Sequence, residues 1–111
     1  MMINFTSRTQ YYLCPNPTDM RNGRNGLAGI VRELMDEDPY DYGKAYIFYS
    51  KDCRKVKILH YDINGFVMYE KWFDDGRFLK PRFMEMRKSH KISRETLILF
   101  MSSSVQTEIA I

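Results

Sequence analysis

The sequence predicts an α+β domain: a mainly antiparallel sheet of about four to five strands in a hairpin meander, one helix after the first strand packed on it, and a C-terminal helix. Three observations lead there. Between positions 18 and 38 apolar residues recur at three- and four-residue spacing, the helical period, so that Met20, Gly23, Leu27, Ile30, Val31 and Leu34 share a face. Aromatic and β-branched runs at 44–49, 55–63 and 66–73 are cut by turn-forming residues. The apolar stretch 93–101 opens on Ser93, a residue type that accepts from the free amides of a first helical turn.

Residues 10–14, rich in Tyr and Leu, read as a short strand leading into the first helix. Thr18 or Asp19 is expected to cap that helix, and Asp38-Pro39 to bound it, because Pro39 disfavours the helical conformation at Asp38. Each glycine inside a helix costs about 1 kcal/mol against Ala. Gly23, Gly26 and Gly29 therefore imply close approach by a strand or a phosphate. The runs 44–49 and 55–61, joined by Ser50-Lys51-Asp52, are expected to be antiparallel neighbours.

Asn64-Gly65 predicts a two-residue hairpin turn, since both residues tolerate positive φ; this pairs Ile63 with Phe66, Tyr61 with Met68 and Lys57 with Trp72. Asp74-Asp75-Gly76 makes a further turn, after which Arg77-Phe78-Leu79 begins a strand that Pro81 interrupts. The end of the chain, 105–111, reads equally as an extra strand or a frayed tail.

A chain of 111 residues suits one domain spanning 1–111, its ends 1–9 and 102–111 least tied to the core. With 44% hydrophobic and 14% aromatic residues it belongs with folded chains. No leader pattern and no run of about 18 apolar residues occurs, so a cytoplasmic protein without membrane attachment is expected. Cys14 and Cys53 are far apart and form no Cys-x-x-Cys pair; both read as reduced, buried and small.

Catalysis finds little support. His60 falls in a strand and reads as a packed or surface residue; His90 falls in a basic stretch and is expected to add to its charge. The acids at 36–41 and Asp74-Asp75 sit where solvated carboxylates usually collect, at a helix end and in a turn. No cofactor fingerprint and no ligand spacing for a metal is present, so neither a cofactor nor a metal is expected and the chain reads as no enzyme. Free amides at the start of the first helix, beside Arg21 and Arg24, could cradle a phosphate, but Asp19 competes for them.

The net charge of +3 is modest, yet it is unevenly spread. Acid crowds into Asp36, Glu37, Asp38 and Asp41, while Arg77, Lys80, Arg82, Arg87, Lys88, Lys91 and Arg94 are offset in their span only by Glu85. Cations interleaved with Phe78, Phe83, Met84 and Met86 suit a strip laid along a phosphate backbone. The candidate DNA contacts are Arg21, Arg24, Arg54, Lys55, Lys57, Arg77, Lys80, Arg82, Arg87 and Lys88.

The string Thr18-Asp19-Met20-Arg21-Asn22-Gly23, then Gly26-Leu27-Ala28, Asp38-Pro39-Tyr40 and Tyr46-Ile47-Phe48, resembles the accessory proteins called TnpB or Orf2 of the insertion-sequence family numbered sixty-six. The likeness continues in order through residues 54–59 with Lys57, Asp62, Gly65-Phe66, Lys71 and Gly76-Arg77-Phe78, and spans roughly Tyr11 to Phe83. The sequence departs from that pattern at His60 and Arg24, where the family usually carries aromatics. The resemblance implies a non-catalytic bacterial protein encoded beside a separate transposase and needed for efficient movement of the element. It brings no catalytic residues with it. Two roles are then expected: contact with transposon DNA through the basic surface or, alternatively, an adaptor that engages the transposase through exposed aromatics or the acidic loop.

Overall fold

In this computed structural model residues 5–102 and 107–111 are described; residues 1–4 and 103–106, parts of the two ends set apart above, lie outside them. The elements are β1 (Gln10–Leu13), α1 (Arg24–Glu33), β2 (Lys44–Tyr49), β3 (Lys55–Asp62), β4 (Gly65–Trp72), β5 (Lys80–Arg82), β6 (His90–Ile92), α2 (Arg94–Phe100) and β7 (Glu108–Ala110). Five strands form one sheet in the order β4-β3-β2-β1-β6, and β5 pairs with β7 in a small second sheet. The α+β class and the mainly antiparallel five-stranded sheet agree with the sequence reading. The meander itself is confined to β2, β3 and β4, because α1 carries the chain back so that β1 lies parallel to β2.

Period-two alternation splits the apolar residues between two faces of the large sheet. On one face Tyr46, Phe48 and Leu59 pack with Leu27, Ala28, Val31 and Met35 of the α1 region. On the other, Leu13, Ile47, Val56 and Ile58 pack with Phe78, Leu97, Phe100 and Ile109. Covered on both faces, β2 is buried from Ala45 to Tyr49 and so reads as a continuous apolar run. The rings of Phe78 and Phe100 meet at 4.9 Å between centroids.

Several expectations are corrected. The first helix begins at Arg24 on the N-cap Gly23, not at Thr18 or Asp19. Upstream the chain is pinned instead: the Thr18 amide donates to the Tyr49 carbonyl, and the Lys57 ammonium takes the carbonyls of Met20 and Asn22 that a longer helix would have used internally. The helix also ends early, at Glu33, where Asp36 adopts φ 57° and the Glu37 amide closes back on the Val31 carbonyl. Leu34 is consequently exposed. Of the three glycines only Gly26 is approached closely, by the Asn22 side chain; Gly23 and Gly29 face open space.

The hairpin turn is Ile63-Asn64, so that Asp62 pairs with Gly65, Tyr61 with Phe66, Lys57 with Glu70 and Lys55 with Trp72. The register differs by two residues from the expected one. A two-residue slip leaves every side chain on its own face, so hydrophobic patterning cannot detect it. Cross-strand chemistry favours the observed register: Tyr61 and Phe66 meet edge to face at 5.0 Å, and Lys57 lies 3.5 Å from the Glu70 carboxylate.

Pro81 does not interrupt a strand but occupies the middle of β5. The ribbon with β7 is tied by the Lys80 amide to the Thr107 carbonyl and the Ile111 amide to the Arg82 carbonyl, which leaves the missing Pro81 amide harmless. Ser93 caps α2 as expected, accepting from the Thr96 amide at 3.0 Å.

Candidate nucleic-acid interface

Strand direction decides which loops meet. Since β1 and β2 run together while β3 and β6 run against them, one end of the sheet gathers the segment 14–23, the turn 50–54, the turn after β4 and the stretch leading into β6. Those segments, with the first residues of α1 and β3 that follow them, carry Arg21, Arg24, Arg54, Lys55, Arg77, Arg87 and Lys88. Arg77 and Lys80 both lie close enough to Cys53, in the turn 50–54, to act on its thiol. The acidic loop with Asp36, Glu37, Asp38 and Asp41 precedes β2 and therefore belongs to the opposite end. There it is anchored by the Tyr46 hydroxyl, which donates to the Asp38 carbonyl at 2.8 Å, and by Lys44, whose ammonium is 2.8 Å from Glu37.

The basic end is not uniformly positive. Arg21 grips Asp19 at 2.6 Å and Arg87 grips Glu85 at 2.6 Å, in exposed pairs that are worth little to stability and open readily to a stronger anion. The Asp19 carboxyl is held down at about 2, first by the Arg21 guanidinium and then by the Arg21 amide. Asp19 is thus occupied by Arg21 and caps no helix, and because the helix starts at Arg24 the free amides weighed as a phosphate cradle do not lie at Thr18. Asp52 is likewise held low, by the Ser50 hydroxyl first.

Two of the expected DNA contacts are placed elsewhere. Lys57 is only 6% exposed; its ammonium donates to the Met20 and Asn22 carbonyls at 2.7 and 2.8 Å, so it ties the segment 14–23 to the sheet and meets no phosphate. Arg82 stands at the far end of β5, past Lys80, with Glu108 4.0 Å away. His90, expected to add to the basic charge, is buried at the start of β6 and stacked on Phe83 at 4.2 Å. Burial, then the Arg87 charge, lowers its pKa and favours the neutral ring. His60 is buried as well, its Nδ1 2.9 Å from the Lys44 carbonyl. Cys14 and Cys53 are free thiols, both pushed up by burial, and Cys53 is only half-buried.

Beside the basic cluster lies a cleft of about 680 Å³, walled on one side by Pro15, Pro17 and Leu34 and on the other by Phe83, Met86 and His90. Met86 is fully exposed at its rim. Sequence reasoning missed this cleft, because its walls come from segments about seventy residues apart. It also left the exposure of Trp72 unread: the ring is 64% exposed and carries the Lys55 ammonium 5.0 Å from its centroid. The signal was present: Trp72 ends the last long strand, where alternation at Met68, Glu70 and Trp72 marks one face of an edge. Among the described residues no group of three or more His, Cys, Asp or Glu side chains could hold a metal, and no helix is long and apolar enough to cross a membrane.

A family model described as "IS66 Orf2 like protein" matches residues 9–108. Two proteins of Sinorhizobium fredii (strain NBRC 101917 / NGR234) are similar to the chain. "Uncharacterized protein y4jC" is 30% identical over 80 residues, covering 72% of this chain and 68% of that protein. "Uncharacterized protein y4hO" is 29% identical over 80 residues, covering 72% and 69%. No solved structure matches.

Proposed function

The chain belongs to the IS66 Orf2-like family of insertion-sequence accessory proteins, and from that premise we propose that it assists a separately encoded transposase by gripping transposon DNA through the basic end of its sheet. The observation that carries the reading is the convergence of Arg24, Arg54, Lys55, Arg77, Lys80 and Lys88, on loops and the first residues of α1, β3 and β5, toward one end, with the acidic loop at the other. A molecule so polarised orients itself in the field of a polyanion before contact. The protein works in the cytoplasm and breaks no bonds itself; fixed charge on a rigid sheet gives hold.

Fluorescence anisotropy with labelled transposon-end DNA at two salt concentrations tests this. Binding should be present at low salt and fall steeply as salt rises. Absence of low-salt binding, or indifference to salt, rejects the DNA reading. The exposed Tyr40 and Tyr42 in the acidic loop favour a second reading, an adaptor that docks on the transposase. Co-purification with the transposase from nuclease-treated lysate supports that alternative, because a pair bridged only by DNA separates there.

A further inference from the structure

Among the exposed apolar side chains, Trp72 stands in the most specific surroundings. Helix α1 packs its Leu27, Ala28 and Val31 over Tyr46, Phe48 and Leu59, a cluster that Phe66 at the start of β4 joins, while Met68 and Trp72 further along that face of the edge strand remain exposed. In register Trp72 lies directly opposite Lys55, whose ammonium is held over the ring. The next residue, Phe73, donates its amide to the Arg54 carbonyl at 2.8 Å, which joins the Trp72 end of β4 to the basic turn. Glu70, on the same face, is held by Lys57 at 3.5 Å, and Asp74 and Asp75 lie beyond in the following turn.

We propose that Trp72 is a stacking platform for an unpaired nucleotide, with Lys55 drawing in its phosphate. Inside a duplex each base face is already covered by its neighbours, so an indole on a flat strand edge can stack only on a base that has left the helix. The adjacent cation selects an anionic, π-faced ligand over a neutral apolar peptide. This inference rests on the DNA reading above and narrows it to single-stranded or frayed DNA at the basic end.

Trp72 is the single tryptophan of the chain, so fluorescence excited selectively beyond the absorption of its eight tyrosines reports this site. Titration with an end-labelled oligothymidylate should quench that fluorescence in step with the rise in anisotropy, whereas a duplex of equal length should bind with little quenching. Trp72→Ala should weaken single-strand binding by roughly five- to a hundredfold and leave duplex affinity unchanged, and Trp72→Phe should restore most of the affinity. The side chain is exposed, so both variants should melt as the parent does. Single-strand binding without quenching, an equal drop in single-strand and duplex affinity in Trp72→Ala, or a Trp72 emission shift on adding transposase but not DNA, each overturns the inference while leaving the basic end in place. If neither DNA form binds at low salt, both readings fall together; if only the duplex binds, the stacking inference alone falls.

Discussion

The Lys57 ammonium lies 2.8 Å from the carbonyl oxygen of Asn22, thirty-five positions earlier in the chain. That bond, with its companion to Met20, holds an irregular segment against the sheet at the end where the cations gather. Lys57→Met should destabilise the protein by about 2–3 kcal/mol in urea unfolding, because two carbonyls are deprived of a charged donor. If Lys57 met phosphates instead, the same substitution would flatten the salt dependence of DNA binding; no flattening is expected.

Removing cations that do face solvent should act differently. Arg54→Gln combined with Arg77→Gln should lower affinity at moderate salt and reduce the slope of log K against log salt by about 0.7–0.9 for each phosphate that is no longer neutralised. Arg82→Gln should leave the slope where it was. A slope equally sensitive to Arg82 would mean that the cluster at the sheet end has no special role.

Stability should fall on mild acidification through His90. Its folded pKa lies below the ordinary value of 6.5, chiefly through burial, with Arg87 lowering it further and Glu85 partly opposing. As pH falls, the unfolded chain therefore takes up the proton first, so the stabilisation is complete above about 6.5 and is lost as pH drops toward the folded value. Melting temperatures between about pH 7 and 5 should decline, and His90→Gln should shallow that decline. An unchanged slope in the variant would assign the acid sensitivity to other groups.

At the hairpin tip Ile63 adopts φ 53° while 82% exposed, a conformation that a β-branched residue reaches only under strain. Ile63→Gly should raise stability by about 0.5–1 kcal/mol, since relief of the left-handed backbone outweighs the added freedom of the unfolded chain. A drop in urea midpoint would show that the side chain contributes packing instead.

Much of this fold was legible locally. Ser93 and its apolar followers specify α2 because an N-cap needs only a hydroxyl and neighbouring amides. The runs at 44–49 and 55–62 declare two strands because alternation and β-branching are properties of a few adjacent residues. The candidate contacts were less legible. Lys57 reads as one cation among several until its register position beneath the segment 14–23 is known, and His90 looks basic until Phe83 covers it. The start of α1 was misplaced for a related reason. Asp19 has the chemistry of a cap, but its carboxylate is taken by Arg21, and the Met20 and Asn22 carbonyls by a lysine from another strand.

By itself the sequence determined the class of the fold, the two helices, the central strands and the family likeness, all of which rest on patterns within short windows of chain. Tertiary structure alone decided the parallel entry of β1 beside β2, the hairpin register, the burial of Lys57 and His90, and the exposure of Trp72. Each of these depends on which distant segments share a sheet end. A residue's charge or ring is written in the chain, but whether it meets water, a phosphate or a neighbouring carbonyl is fixed only when strand order brings its surroundings together.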